Sequence, residues 1–174
     1  MTIAREPLRS CIGACSQIRI NISCFSYDDD EYFDALSRGS KWNAKADYSE
    51  ILPNLFLGNE QAAMACSFNL AVNATRNVES HGYCTDRLSV PHQEEWDLFM
   101  PLLEKVRALL NDGRSVLVHC RSGRHRAAAL TAAFVAHLLQ ISAHDAMLHV
   151  RAARRQVDLR DKALQAFVHW AVSQ

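Results

Sequence analysis

The sequence predicts a three-layer α/β domain: a central, mostly parallel sheet flanked by helices. Three observations point there. Residues 115–119 are a continuous apolar run ending at Cys120, the pattern of a strand buried on both faces. An alanine-rich apolar helix begins at Arg126, directly after a short loop. From about residue 48 onward, short apolar stretches alternate with helical periodicity, the order that builds such a sheet.

The elements follow in turn. Residues 17–25 alternate polar and apolar and predict a strand. Residues 28–36 predict a short helix with acidic residues at its positive end; a partner-binding motif is the alternative for this acidic run. Arg38-Gly-Ser-Lys41 is a linker signal. The expected division is therefore an N-terminal extension over 1–47, partly ordered, and a main domain over 48–174. Within the domain, a strand is expected at 51–57 and a helix near 59–67, with Gly58-Asn59 between them. Strands follow at 69–73 and 87–91. Trp96, Phe99, Met100, Leu103, Val106 and Leu110 recur at helical spacing, and Asn111-Asp-Gly-Arg114 ends that helix. After the 115–119 strand come helices at 126–139, 142–156 and 161–172, the last two capped by Ser142 and Asp161.

A chain of 174 residues, 49% hydrophobic, can bury one core and carry an extension. Formal net charge is zero, so no bulk field draws it to nucleic acid or a membrane. Six cysteines stand at 11, 15, 24, 66, 84 and 120, with no zinc-ligand spacing. No signal-peptide core and no run of transmembrane length occurs. A free reactive thiol suits a reducing compartment. Cytoplasm is the expected location, with the nucleus as a second; a mitochondrial presequence in the first 17 residues is the minor alternative.

The chemistry concentrates in Val116-Leu-Val-His-Cys-Arg-Ser-Gly-Arg-His-Arg126. A strand, a cysteine, five residues, an arginine and a helix assemble an anion site around a nucleophile. Backbone N–H groups of Arg121, Ser122, Gly123, Arg124, His125 and Arg126 can converge on a tetrahedral oxyanion at a helix N-terminus. The Arg126 guanidinium adds a two-pronged grip. Cys120 lies beneath the anion, where positive surroundings favour its thiolate. Gly123 allows close backbone approach and positive φ. Neither a metal nor a cofactor is expected.

This loop resembles the signature loop of cysteine-dependent phosphatases. Ser49-Glu-Ile-Leu-Pro-Asn-Leu-Phe-Leu-Gly58 and Asn69-Leu-Ala-Val-Asn-Ala-Thr75 are similar to the opening strands of dual-specificity phosphatase domains. The resemblance implies that family's fold, a phosphocysteine formed on Cys120, phosphate binding through residues 121–126, and phosphorylated substrates. Two positions depart from the pattern. The Ser or Thr that follows the arginine is Ala127, an exchange shared with the phosphatases of regenerating liver, which implies slow hydrolysis of the phosphoenzyme. The register of the family's acidic Asp falls on 88–92, which holds no carboxylate. His92 and Glu94 are the leading substitutes as general acid, with Glu95 and Asp97 nearby; the alternative is that Glu94 and Glu95 complement the start of the next helix.

Substrate class stays open at this level. Phosphotyrosine and phosphoserine/threonine on proteins are the default. Arg121 and Arg124 make the loop similar to those of lipid and inositol phosphatases, so an anionic phosphorylated lipid or inositol is the alternative. A weakly active phosphate-binding domain is a third reading. Arg121 and Arg124 could instead face solvent or pair with Glu94, Glu95 or Asp97. Arg151, Arg154 and Arg155 form a second basic cluster, for which a role in packing the fold is favoured over a phospholipid patch. Cys66 and Cys84 are candidates to protect Cys120 as a reversible disulfide.

Overall fold

The computed structural model describes residues 45–76 and 85–174. The strand expected at 17–25, the helix at 28–36 and Cys84 lie outside the described residues. Five strands, β1 (Tyr48–Leu52), β2 (Leu55–Gly58), β3 (Leu70–Asn73), β4 (Thr85–Arg87) and β5 (Val116–His119), form one sheet in the order β1-β2-β5-β3-β4. β1 runs antiparallel to β2, and every other pairing is parallel. The helices are α1 (Glu60–Ala65), α2 (Phe99–Asn111), α3 (Arg126–Leu139), α4 (Ala143–Ala153) and α5 (Lys162–Val172). The predicted three-layer architecture is thus the observed one.

Strand alternation divides the core. Leu117 and Phe56 face α1, packing with Ala62, Ala63 and Phe68. Val116, Val118, Leu55 and Leu57 face the other side, in the larger core with α2 to α5. The centre of that side is α3, whose residues 126 to 136 are all buried. An alanine-rich helix that is apolar all round has no solvent face to present, so it is packed on every side.

Three boundaries differ from the sequence reading. The strand expected at 51–57 is a hairpin: Pro53-Asn54 turns the chain, with Asn54 at φ 66°. The strand expected at 87–91 ends at Arg87. Beyond it the Ser89 N–H bonds the Glu95 carboxylate at 2.7 Å rather than a neighbouring strand, and Pro91 has no N–H to give. The helix expected from Trp96 begins as a 3₁₀ turn over Gln93–Leu98 and becomes α2 at Phe99. Pro101 falls in the first turn of α2, where a missing N–H is tolerated. The two expected caps are present: Ser142 Oγ accepts from the Asp145 N–H at 3.1 Å, and Asp161 Oδ1 from the Ala163 N–H at 2.8 Å.

Candidate active site

The strand registers set Gly58, His119, Asn73 and Arg87 in one row across the sheet. These are the last residues of four parallel strands, so the loops that follow them gather on one edge. That carboxyl edge is where open α/β sheets bind ligands. The loop after the central strand β5 runs from Cys120 to His125 and opens into α3.

Within the loop, the Gly123 N–H donates to Cys120 Sγ at 3.3 Å. Cys120 is 1% exposed. His125 stands at the N-cap of α3 and Arg126 opens the helix; both are buried. The amides of the first turn of a fourteen-residue helix therefore point at the loop, and their partial positive charge favours an anion there. His125 is held below the ordinary histidine range by its burial, and by the Arg124 and Arg126 charges beside it.

Gly123 is fitted against the neighbouring strand end. Its φ is +67°, and a Cβ there would lie 2.5 Å from the Gly58 carbonyl oxygen. Only glycine accepts both the conformation and the approach. The loop is also tied to its surroundings. The Glu60 N–H donates to the Arg121 carbonyl at 3.2 Å, and the Asp158 N–H to the Arg124 carbonyl at 2.9 Å. Arg154, 3% exposed, donates from Nε to the Gly123 carbonyl at 3.2 Å. Its other nitrogens reach Ser49 Oγ and both oxygens of Asp47. Burial pushes the Asp47 carboxyl up, but hydrogen bonds from Arg154 and Gln156 and the Arg154 charge hold it below its usual value. Asn59 completes the frame: its Oδ1 accepts from the Ala62 and Asp47 N–H groups while its Nδ2 donates to the Lys45 carbonyl. Among the described residues, no group of three His, Cys, Asp or Glu is placed to hold a metal ion.

The family model of the dual specificity phosphatase catalytic domain matches residues 55–171, a span that takes in the sheet edge, the loop and the closing helices. The chain belongs to the dual specificity phosphatase family. It is 33% identical over 113 residues to a protein of Invertebrate iridescent virus 6 assigned as tyrosine phosphatase 123R, covering 61% of this chain and 79% of the viral one. It is 30% identical over 128 residues to dual specificity phosphatase 28 of Mus musculus, covering 67% and 78% respectively. The crystal structure of human DUSP28 superposes with a TM-score of 0.64 at 22% identity, over 72% of this chain and 93% of that one.

The phosphatase departs from the sequence reading in its second loop. Arg76 is the residue that pairs with both glutamates: Nε meets Glu95 at 2.6 Å and Nη2 meets Glu94 at 2.9 Å. Arg124 Nε donates to the Gln156 carbonyl at 3.0 Å. Partial burial pushes the Glu94 carboxyl up, but a backbone hydrogen bond and the Arg76 contact hold it below its usual value. Glu94 is thus kept ionised, whereas a general acid must carry a proton. Glu95 is spent on Arg76 and the Ser89 N–H. His92 is buried in the same loop, with Nδ1 2.6 Å from Ser89 Oγ.

Sequence reasoning named Cys120, the loop and Arg126, and the structure brings them together. It did not single out Asn59, Asp47 or Arg76, whose partners lie 12 or more residues away for all but the Asn59 helix cap, nor Gly58, whose role comes from the approach of Gly123. The basic cluster divides: Arg154 packs inside the fold, while Arg151 and Arg155 are exposed. Cys66 caps the C-terminal end of α1. The N-terminal end of that helix touches the loop through Glu60, so Cys66 lies about 9 Å further along the axis. It is a free thiol.

Proposed function

We propose that the phosphatase hydrolyses phosphotyrosine and phosphoserine/threonine on proteins through a phosphocysteine at Cys120. The observation that carries this reading is the Gly123 N–H on Cys120 Sγ within a loop that ends at the buried Arg126. The Cys120 thiolate attacks phosphorus in line, the bond to the alcohol oxygen breaks, and that oxygen takes a proton from the acid. The loop amides and Arg126 hold the equatorial oxygens as charge shifts. Water then attacks phosphorus, releasing phosphate and restoring the thiolate. His92, buried in the same loop, is assigned as the acid in place of the ion-paired Glu94.

The test is hydrolysis of p-nitrophenyl phosphate and of phosphopeptides by wild type, Cys120→Ser and Arg126→Ala. Cys120-dependent release and a trappable phosphoenzyme are expected. Release that survives Cys120→Ser would overturn the mechanism. A second reading, a phosphate-binding domain with very weak turnover, is favoured by Ala127; it predicts tight phosphopeptide binding with no measurable release.

A further inference from the structure

Beside the signature loop, Arg124, Arg151, Arg155, Arg160, Met147 and Leu148 line an open cleft of about 440 Å³. We infer that this cleft binds the acidic stretch that flanks the phosphorylated residue of a polypeptide substrate. The inference rests on the phosphoprotein reading above and deepens it.

Four arginines line the cleft against one carboxylate, Asp158. Arg160 neutralises that carboxylate through two contacts, at 2.9 and 2.6 Å, and these hydrogen bonds hold Asp158 well below its ordinary value. The charge left over is carried by Arg124, Arg151 and Arg155. Unlike Arg154, Arg151 and Arg155 are exposed, and no ion pair is described for either. The lining is also apolar. Met147 is half-buried, and Leu148 is 52% exposed. Guanidiniums alternating with a thioether and a leucine suit a peptide, which offers both carboxylates and hydrocarbon. A bare polyphosphate would leave the apolar part unused.

The cleft adjoins the signature loop at Arg124. Arg124 belongs to both: its carbonyl accepts from the Asp158 N–H and its Nε bonds the Gln156 carbonyl, and all three residues line the cleft. A chain whose phosphate sat over Cys120 and ran past Arg124 would enter the cleft that Arg151 and Arg155 line. Long-range attraction there acts mainly on capture of substrate, so KM is the parameter it moves.

The experiment compares two phosphotyrosine peptides, one flanked on both sides by glutamates and one by glutamines, on wild type and on an Arg151→Ala/Arg155→Ala variant. Wild type should prefer the acidic peptide by about tenfold in kcat/KM, and the variant should lose most of that preference through KM. The preference should shrink as salt is raised to about 0.5 M. Turnover of p-nitrophenyl phosphate, too small to reach the cleft, should match in the two proteins and reports that the variant is folded. Anisotropy of the same labelled peptides on Cys120→Ser protein, with and without the arginine changes, reads binding where no hydrolysis occurs. Should the catalytic reading fail, this arm still tests the cleft. Equal binding of the two peptides, or an acidic preference untouched by the double substitution, overturns the inference. Arginine-dependent binding to phosphatidylserine vesicles without peptide discrimination overturns it too.

Discussion

Arg154 Nε donates to the Gly123 carbonyl at 3.2 Å while the same guanidinium is clamped by Asp47. A residue at the end of α4 thereby fixes the peptide that follows Gly123, whose own N–H meets the Cys120 sulfur. Arg154→Ala removes donors from Gly123, Ser49 and Asp47 at once. A loss of about 2–4 kcal/mol in urea unfolding is expected, together with a fall in kcat/KM as the loop loosens. Arg154→Lys keeps the charge but cannot span three acceptors, so it should lie between wild type and alanine on both measures.

The Asp47 partner adds an acid-side signature. Its folded-state carboxyl is held below its ordinary value. Stability from the pair is therefore complete above the ordinary aspartate range and is lost as pH falls below it. Asp47 is 44% exposed, so solvent screening limits the effect to about 1 kcal/mol or less. Asp47→Asn should flatten the melting-temperature profile below about pH 4 while lowering stability at pH 7.

Gly123→Ala is expected to be far more damaging than its size suggests. The new methyl meets the Gly58 carbonyl at 2.5 Å in a backbone region that L-residues avoid. About 1–3 kcal/mol of strain follows, and the loop can relieve it only by moving its N–H away from Cys120. Phosphatase activity should fall by at least about 100-fold, because one displaced oxyanion donor alone has that effect. A variant with wild-type kcat/KM would show that the loop tolerates rearrangement.

These relationships mark how far the sequence could be read. The loop from Val116 to Arg126 is local, so its spacing alone placed Cys120 at a strand end and Arg126 at a helix start. Helices with a clear cap or periodicity, such as α4 and α5, were placed within a few residues for the same reason. The hairpin at Pro53-Asn54 was missed because both strands carry one apolar alternation through the turn. The Arg76 pair was invisible, and a packing role for the Arg151–Arg155 cluster was legible without the partners of Arg154, since each contact joins residues distant in sequence. Their chemistry appears only once the sheet order brings the loops to one edge.

His125 gives a second pH prediction. Its folded-state value is depressed by burial and by its arginine neighbours, so the unfolded chain binds its proton first as pH falls. Stability should drop as pH is lowered through about 6.5 toward the depressed folded-state value, and level off below it. His125→Gln should remove that dependence in melting-temperature scans between about pH 7 and 5. An unchanged slope would assign it to another group.

The acid loop separates two residues that look equivalent in sequence. Glu94→Gln should leave hydrolysis of an alkyl phosphate within about twofold of wild type, because Glu94 is held ionised by Arg76. His92→Ala should slow the same substrate by about 10² to 10⁴, and p-nitrophenyl phosphate much less, since a good leaving group needs little protonation. Equal losses on both substrates would mean that His92 only supports the loop through Ser89.

Ala127 sits at the second position of α3, fully buried, directly after Arg126. A hydroxyl one turn on, Thr131 Oγ1, is already spent on the Ala127 carbonyl at 2.7 Å. A hydroxyl at residue 127, next to Arg126, is positioned by sequence to assist departure of the thiolate. Ala127→Ser adds one oxygen in a helical first turn that tolerates serine. Steady-state turnover should rise about tenfold, equivalent to about 1.4 kcal/mol in the hydrolysis barrier. On the proposed phosphocysteine mechanism, the burst of phenol release that precedes steady state should shrink, because less phosphoenzyme accumulates. A rise in turnover with the burst intact would place the slow step elsewhere. Unchanged turnover would show that Ala127 does not limit hydrolysis.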